Sequence, residues 1–344
     1  MRETTLMAQR FDAGKGALAG ESFAVAEKVG MGRTGRAEFS VSGNGMLVYG
    51  AGAGGTRLTW MDRGGKRLET FGDLGAPFSP ALSPDGKQVA FRMAAARGQG
   101  SDIWVRDLAR GIPTRFTFHP SFHYAPVWSP DGSRIVFSSN PEGPYALYLK
   151  SASGAGQEER LLKAGNPQFA SDWTAKGDLL LYHEVDPKTK RDLWVLPMTG
   201  ERKPAVFLKT EFNERQGAFS PDGKWIAYSS DESGRYEIYV QPYPATGAKW
   251  QVSRDGGRHP KWRRDGRELY WLEEDGTLMA AEVSMGQTFQ PGNAGALFET
   301  GITNISELFA VTGDGKRFLL PMPAETEGAR PVTVVQNWLA GARR

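Results

Sequence analysis

Residues 218–240, "AFSPDGKWIAYSSDESGRYEIYV", hold two alternating apolar strands separated by a polar turn and preceded by Ser-Pro-Asp-Gly. The chemistry of that tetrapeptide is that of a hairpin turn. Proline presets φ, aspartate bonds nearby backbone, and glycine supplies the positive φ that closes the turn. The element recurs as "LSPDG" at 82–86 and "WSPDG" at 128–132, and in weaker form as "VSGNG" at 41–45, "WTAKG" at 173–177, "WRRDG" at 262–266 and "VTGDG" at 311–315. The anchoring glycines Gly45, Gly86, Gly132, Gly177, Gly223, Gly266 and Gly315 follow one another at 41, 46, 45, 46, 43 and 49 residues. So regular a period marks a repeat architecture rather than scattered turns.

Each anchor is followed by an apolar strand such as "KQVAFRM", "SRIVFSS" or "KWIAYSS". A third strand marked by an aromatic comes next, as in "DIWVRDL", "ALYLKSA", "DLWVLPM", "EIYVQPY" and "RLTWMDR", and a looser fourth strand leads back to the next anchor. Four antiparallel strands per 40–45 residues is the pattern of a propeller blade. The expected fold is therefore all-β, a seven-bladed β-propeller in one domain. Residues 1–37 supply closing strands, and blades fall near 38–78, 79–124, 125–169, 170–215, 216–258, 259–307 and 308–344. The aromatics Trp104, Tyr148, Trp194 and Tyr239 are expected to pack between blades. "TTLMAQRF … ESFAVAEKV" near the N-terminus echoes "GTLMAAEV … GALFETGI" at 276–302, so an N-terminal strand is expected to complete the last blade and remove its open edge.

Composition narrows the function classes. Lysine and arginine number 42 against 39 acidic residues, a net charge of +3 without long like-charge runs, which gives no footprint for nucleic acid. The absence of cysteine removes disulfides and thiolate metal sites. No apolar run reaches transmembrane length, and the N-terminus as given shows no signal-peptide core.

"ALSPDGKQVAF", "VWSPDGSRIVFSS" and "GAFSPDGKWIAYSSDESGRYEIYV" resemble TolB-type, WD40-like propeller repeats. The run from "TLMAQRFDAGKGALAGE" to "VTVVQNWLAG" resembles the C-terminal propeller regions of bacterial, notably acidobacterial, serine/threonine protein kinases. The resemblance implies a sensor or interaction domain and an extracytoplasmic setting. The kinase motifs themselves are absent, as is the Gly-x-Ser-x-Gly elbow of serine hydrolases.

Aligning the first strands by counting back from each anchor places Arg36, Glu38, His123, Asp172, Glu214, Arg215, Arg258, His259 and Glu307 toward the channel mouth. His183, Glu184 and Asp186 join them from a connection read as the loop "HEVDPKTKR". Two kinds of chemistry follow. Arg36, Arg215 and Arg258 suit a carboxylate or phosphate ligand. His123, His259, Glu38, Glu214, Glu307 and Asp172 are candidate ligands for a divalent Zn, Mn, Fe or Ca, with His123, His259, His183 and Glu184 as candidate catalytic groups. The first reading is a non-catalytic sensor, a monomer that binds a peptide, protein or small molecule at the channel mouth. The alternative is a metal-dependent ester or phosphotriester hydrolase at the same mouth, and a third is a scaffold without a small-molecule site.

Overall fold

In the computed structural model, residues 5–27, 29, 37, 39–50, 56–71, 77–94, 100–163, 165–302, 309–323 and 332–338 are described. All seven anchoring glycines sit in left-handed backbone, with φ between 69° at Gly315 and 81° at Gly45. In the strongest copies the serine hydroxyl donates to the aspartate two residues on and accepts from the backbone N–H that opens the next strand; Ser83 Oγ lies 2.6 Å from Asp85 Oδ1 and 2.9 Å from the Gln88 nitrogen. The repeat is thus a local turn chemistry that starts the same hairpin each time.

The chain divides into two compact units, one of residues 1–55 with 323–344 and one of 56–322. The larger unit contains six antiparallel sheets of four strands. Their first strands are Pro77–Leu82, His123–Trp128, Gln168–Trp173, Glu214–Phe219, Arg258–Trp262 and Ala310–Val311. In the first five sheets the four strands follow in sequence order. The sixth is composite: Ala310–Val311 and Arg317–Pro323 are continued by Thr56–Asp62 and Arg67–Thr70.

Packing arranges these sheets in a ring. Each of six apolar clusters joins neighbouring sheets. Ile103 and Trp128 link the first and second, Leu147 and Trp173 the second and third, and Leu193 and Phe219 the third and fourth. Ile238 and Trp262 link the fourth and fifth, Tyr270 and Phe318 the fifth and sixth, and Val89 and Leu319 the sixth and first. Every sheet is buried on both faces, which accounts for the continuous apolar runs of the second strands. Tyr148 and Tyr239 belong to these clusters, and Trp104 and Trp194 pack against them from partly buried positions, as expected.

The smaller unit pairs Leu6–Asp12 with Ala17–Ala26, and sets Met46–Gly50 between Phe39–Val41 and Val332–Gln336. Its core is Leu6, Ala26, Val29 and Leu47. The expected completion of the last blade by a strand from residues 1–37 is not seen among the described residues; a composite sheet forms from other residues. Thr56–Thr70, rather than residues within 1–37, completes the C-terminal hairpin. The hairpin at Gly45 takes Val332–Gln336 as its third strand instead of "RLTWMDR". Seven four-stranded blades are not reached among the described residues, whose sheets are six of four strands, one of three and one of two. Local turn chemistry specifies a hairpin; which distant strand joins its edge depends on burial of the whole sheet.

Candidate functional site

The first strands of the six sheets line a channel of about 570 Å³. A register shift interrupts the pairing of five of them, between Phe78 and Ala81, Tyr124 and Val127, Ala170 and Asp172, Arg215 and Ala218, and Arg258 and Lys261. At four of these bulges a non-glycine residue holds left-handed backbone: Ser79, Ala125, Gln216 and His259, with φ of 50°, 49°, 58° and 57°. L-residues adopt this conformation rarely, and bulges re-aim the side chains around them. The next residue is Pro80, Pro126, Gly217 or Pro260.

Counting back two residues from each anchoring Ser, Thr or Arg gives one level of the channel wall: Ala81, Val127, Asp172, Ala218, Lys261 and Ala310. Four are small and apolar. The other two are opposite charges from the third and fifth sheets, both half-buried, with their accessible surface facing the channel. The Asp172 carboxylate accepts the Phe219 backbone N–H at 2.7 Å. Burial raises the Asp172 pKa and lowers that of Lys261, and each charge partly offsets the burial penalty of the other.

Nearer one mouth stand Arg191, Arg215 and His183. Arg191 donates to Asn213 Oδ1 at 3.1 Å. The Arg215 guanidinium lies 5.5 Å from the Tyr236 ring centre, and its Nε meets no partner among the described residues. Burial pushes Arg215 down to about 10. His183 stacks on Phe169 with ring centres 5.1 Å apart. Burial, reinforced by Arg215 and Arg191, holds its pKa well below the ordinary histidine value, so it is neutral at pH 7. Gln216 bridges to the fifth sheet: its amide donates to His259 Nε2 at 3.1 Å, and its carbonyl accepts the His259 backbone N–H at 3.2 Å. Arg264 lines the opposite end, level with Pro84, Pro130 and Pro221 of the turn motifs.

The structure thus brings Asp172, His183, Arg215 and His259 to the channel and places His123, Glu214, Arg258 and Glu184 elsewhere. His123 is fully buried between the first two sheets, its Nδ1 2.7 Å from the Ser101 carbonyl and its Nε2 3.4 Å from Ser121 Oγ. Glu214 is fully buried at the start of its strand and accepts from the Thr210 hydroxyl. Arg258 lies over Tyr236 at 3.8 Å and pairs with Glu274 at 3.5 Å. His183 and Glu184 belong to a strand, Leu179–Asp186, rather than to a loop. Consecutive strand residues face opposite sides, so Glu184 turns away and accepts from Asn166 and Gln168, each at 3.0 Å. Arg36, Glu38 and Glu307 lie outside the described residues. Among the described residues no three His, Asp or Glu side chains are grouped to hold a metal. Lys261, Arg191 and Arg264 were missed by sequence reasoning; the signal for Lys261 was a charge at the aligned position where four other repeats have alanine or valine.

Residues 63–202 match the family model of the TolB beta propeller domain. The chain is 25% identical over 225 residues to the uncharacterized peptidase YuxL of Bacillus subtilis (strain 168), covering 51% of this chain and 34% of that protein. It is 28% identical over 158 residues to the uncharacterized protein Atu1656 of Agrobacterium fabrum (strain C58 / ATCC 33970), covering 42% of this chain and 52% of that one. The chain therefore spans about a third to a half of the length of these curated relatives. Among solved structures, the putative TolB from Agrobacterium tumefaciens superposes with a TM-score of 0.64 at 18% identity, covering 79% of this chain and 99% of that one. The fold is that of a TolB-type β-propeller. Among the described residues no helix is long and apolar enough to cross a membrane.

Proposed function

We propose that the chain is a non-catalytic binding propeller whose channel receives an anionic ligand, either a small molecule or an acidic segment of a peptide or protein. One observation carries this reading: among the described residues lining the channel, Arg191, Arg215, Lys261 and Arg264 stand against one carboxylate, Asp172. A cationic excess behind low-dielectric walls focuses the field on the channel and draws anions into it. The volume lies within the range of small-molecule sites, roughly 300–1,000 Å³. Likeness to kinase-attached propellers adds the proposal that binding serves sensing. The peptidase in the name of the Bacillus relative is not carried over, since the chain spans 34% of that protein. Among the described residues no grouping of side chains favours the metal-dependent hydrolase reading.

The test is calorimetry and thermal-shift measurement with carboxylates, inorganic phosphate and pyrophosphate at constant ionic strength. Wild type is expected to bind a subset, and the Arg191→Ala/Arg215→Ala double variant to bind it about tenfold or more weakly, the scale of one charge-assisted hydrogen bond. Undiminished binding by the double variant, or no binding of any anion by wild type, would overturn the reading.

A further inference from the structure

Lys261 is the one long cationic side chain at a channel level otherwise built from Ala81, Val127, Ala218, Ala310 and the shorter Asp172. Its ammonium makes no hydrogen bond and no ion pair within 4.0 Å to any described residue, and the half-buried side chain stands on the channel lining with three N–H donors. Asp172 is differently placed, since the backbone N–H of Phe219 already bonds its carboxylate. The lysine is the member of the pair left with unmet capacity. An ammonium on a channel wall without a protein acceptor can take one from a ligand, and an anion meets it best. Lys261 also lies three residues further along its strand than Arg258, the aligned counterpart of Arg215. Three residues of extended chain span at most about 10 Å. Cationic side chains of the third, fourth and fifth sheets, Arg191, Arg215 and Lys261, therefore line the same channel, with Lys261 at a different level along it from Arg215.

We infer that the channel recognises ligands carrying two acidic groups on a short body, the outer one held by Arg191 and Arg215 and the inner one by Lys261. Asp172 accepts a hydroxyl or amine hydrogen of the body beside the inner group and limits the field there, so that a second anion is welcome and a third is not. The apolar positions Val127, Ala218 and Ala310 around the pair leave space for methylene or ring carbons. This inference rests on the anion-binding reading above and sharpens it to a class: compact diacids, in preference to monoacids of equal length.

The experiment compares malonate, succinate, glutarate and adipate with the monocarboxylates of matching carbon number, and pyrophosphate with phosphate, by calorimetry at constant ionic strength. The variant Lys261→Met keeps the side-chain stem and removes the charge. Expected is a preference of about tenfold or more for one diacid over its monoacid, lost in Lys261→Met. A second readout needs no variant: acetic anhydride labelling of Lys261 in wild type, followed by mass spectrometry, is expected to slow with that diacid and not with the monoacid. Equal binding of diacids and monoacids, a preference that survives Lys261→Met, or unprotected labelling would each overturn the inner station and leave the mouth arginines in place. Failure of every acid to bind would overturn the anion reading itself.

Discussion

Glu214 begins its strand with a fully buried side chain; one carboxyl oxygen accepts from Thr210 and the other has no partner among the described residues. Burial pushes its pKa up to about 7, with the nearby Asp192 adding to the effect. The consequence for stability has a definite sign. In the unfolded chain the group titrates near 4.5, so folding is favoured by the bound proton below that pH. The contribution falls as pH rises through about 7, because the folded state must then ionise a buried carboxyl or keep its proton while the unfolded state has released it. The size is on the order of 3 kcal/mol. Glu214→Gln keeps the oxygen that Thr210 bonds and removes the titration. Urea unfolding between pH 5 and 8 should show wild type losing stability as pH rises while the variant stays nearly level, ending above wild type at pH 8. Parallel curves would show that Glu214 ionises freely in the folded protein. His123 works in the opposite sense: burial lowers its pKa, so its contribution is present above about 6.5 and is lost as pH falls through the folded value.

At the scale of the strand, the bulge is what separates a blade's inner edge from an ordinary hairpin edge. In the fourth sheet it consists of Arg215, Gln216 and Gly217, and a Cβ added at Gly217 would stand 2.5 Å from Leu181 Cδ2 and 3.4 Å from Leu193 Cδ2. Both leucines are fully buried in the cluster between the third and fourth sheets. Gly217→Ala should therefore destabilise by overpacking, about 1–3 kcal/mol, seen as a lower urea midpoint at unchanged slope. An unchanged midpoint would mean that the two leucines have room to move. These bulges also mark the limit of what the sequence made legible. The anchor turns were readable because Ser, Pro, Asp and Gly each bring a local reason for the conformation. The bulges were not, because their left-handed residues are Ser79, Ala125, Gln216 and His259, and none of these names the conformation it holds. Counting back from the anchors still placed Asp172, Arg215 and His259 on the channel wall. It misplaced His123, because that position lies before the bulge on the side that packs between sheets, where Ser101 and Ser121 take up the ring nitrogens.

For the ring as a whole, the critical joint is the sixth sheet, whose hairpin at 310–323 and outer strands at 56–70 come from distant parts of the chain. The repeat period announced the hairpins one by one, but no local signal says which outer strands the last hairpin will accept. That choice is made by burial: Leu58 and Trp60 pack with Val89 and Leu319 against the first sheet, while Met61 packs with Tyr270 and Phe318 against the fifth. A polar clamp reinforces the second of these contacts. Arg63 follows directly on the third strand of the sixth sheet and donates to Glu268 of the fifth at 3.0 Å and to the Gly315 carbonyl at 3.3 Å. Glu268 is buried and also receives Arg263 at 2.8 Å and the Tyr270 hydroxyl at 2.5 Å. Glu268→Gln removes the charge and turns one of the two accepting oxygens into a donor NH2 that faces Tyr270 and two guanidinium groups, so it should cost more than Arg63→Met, which leaves the Arg263 pair intact. The two positions share one network, and a double-mutant cycle in urea should return a coupling of about 1–3 kcal/mol. Coupling near zero would mean that apolar packing alone closes the ring. Coupling in the expected range would make Glu268 the point at which the N-terminal strands are held to the fifth sheet, and with them the channel wall that Ala310 and Lys261 share.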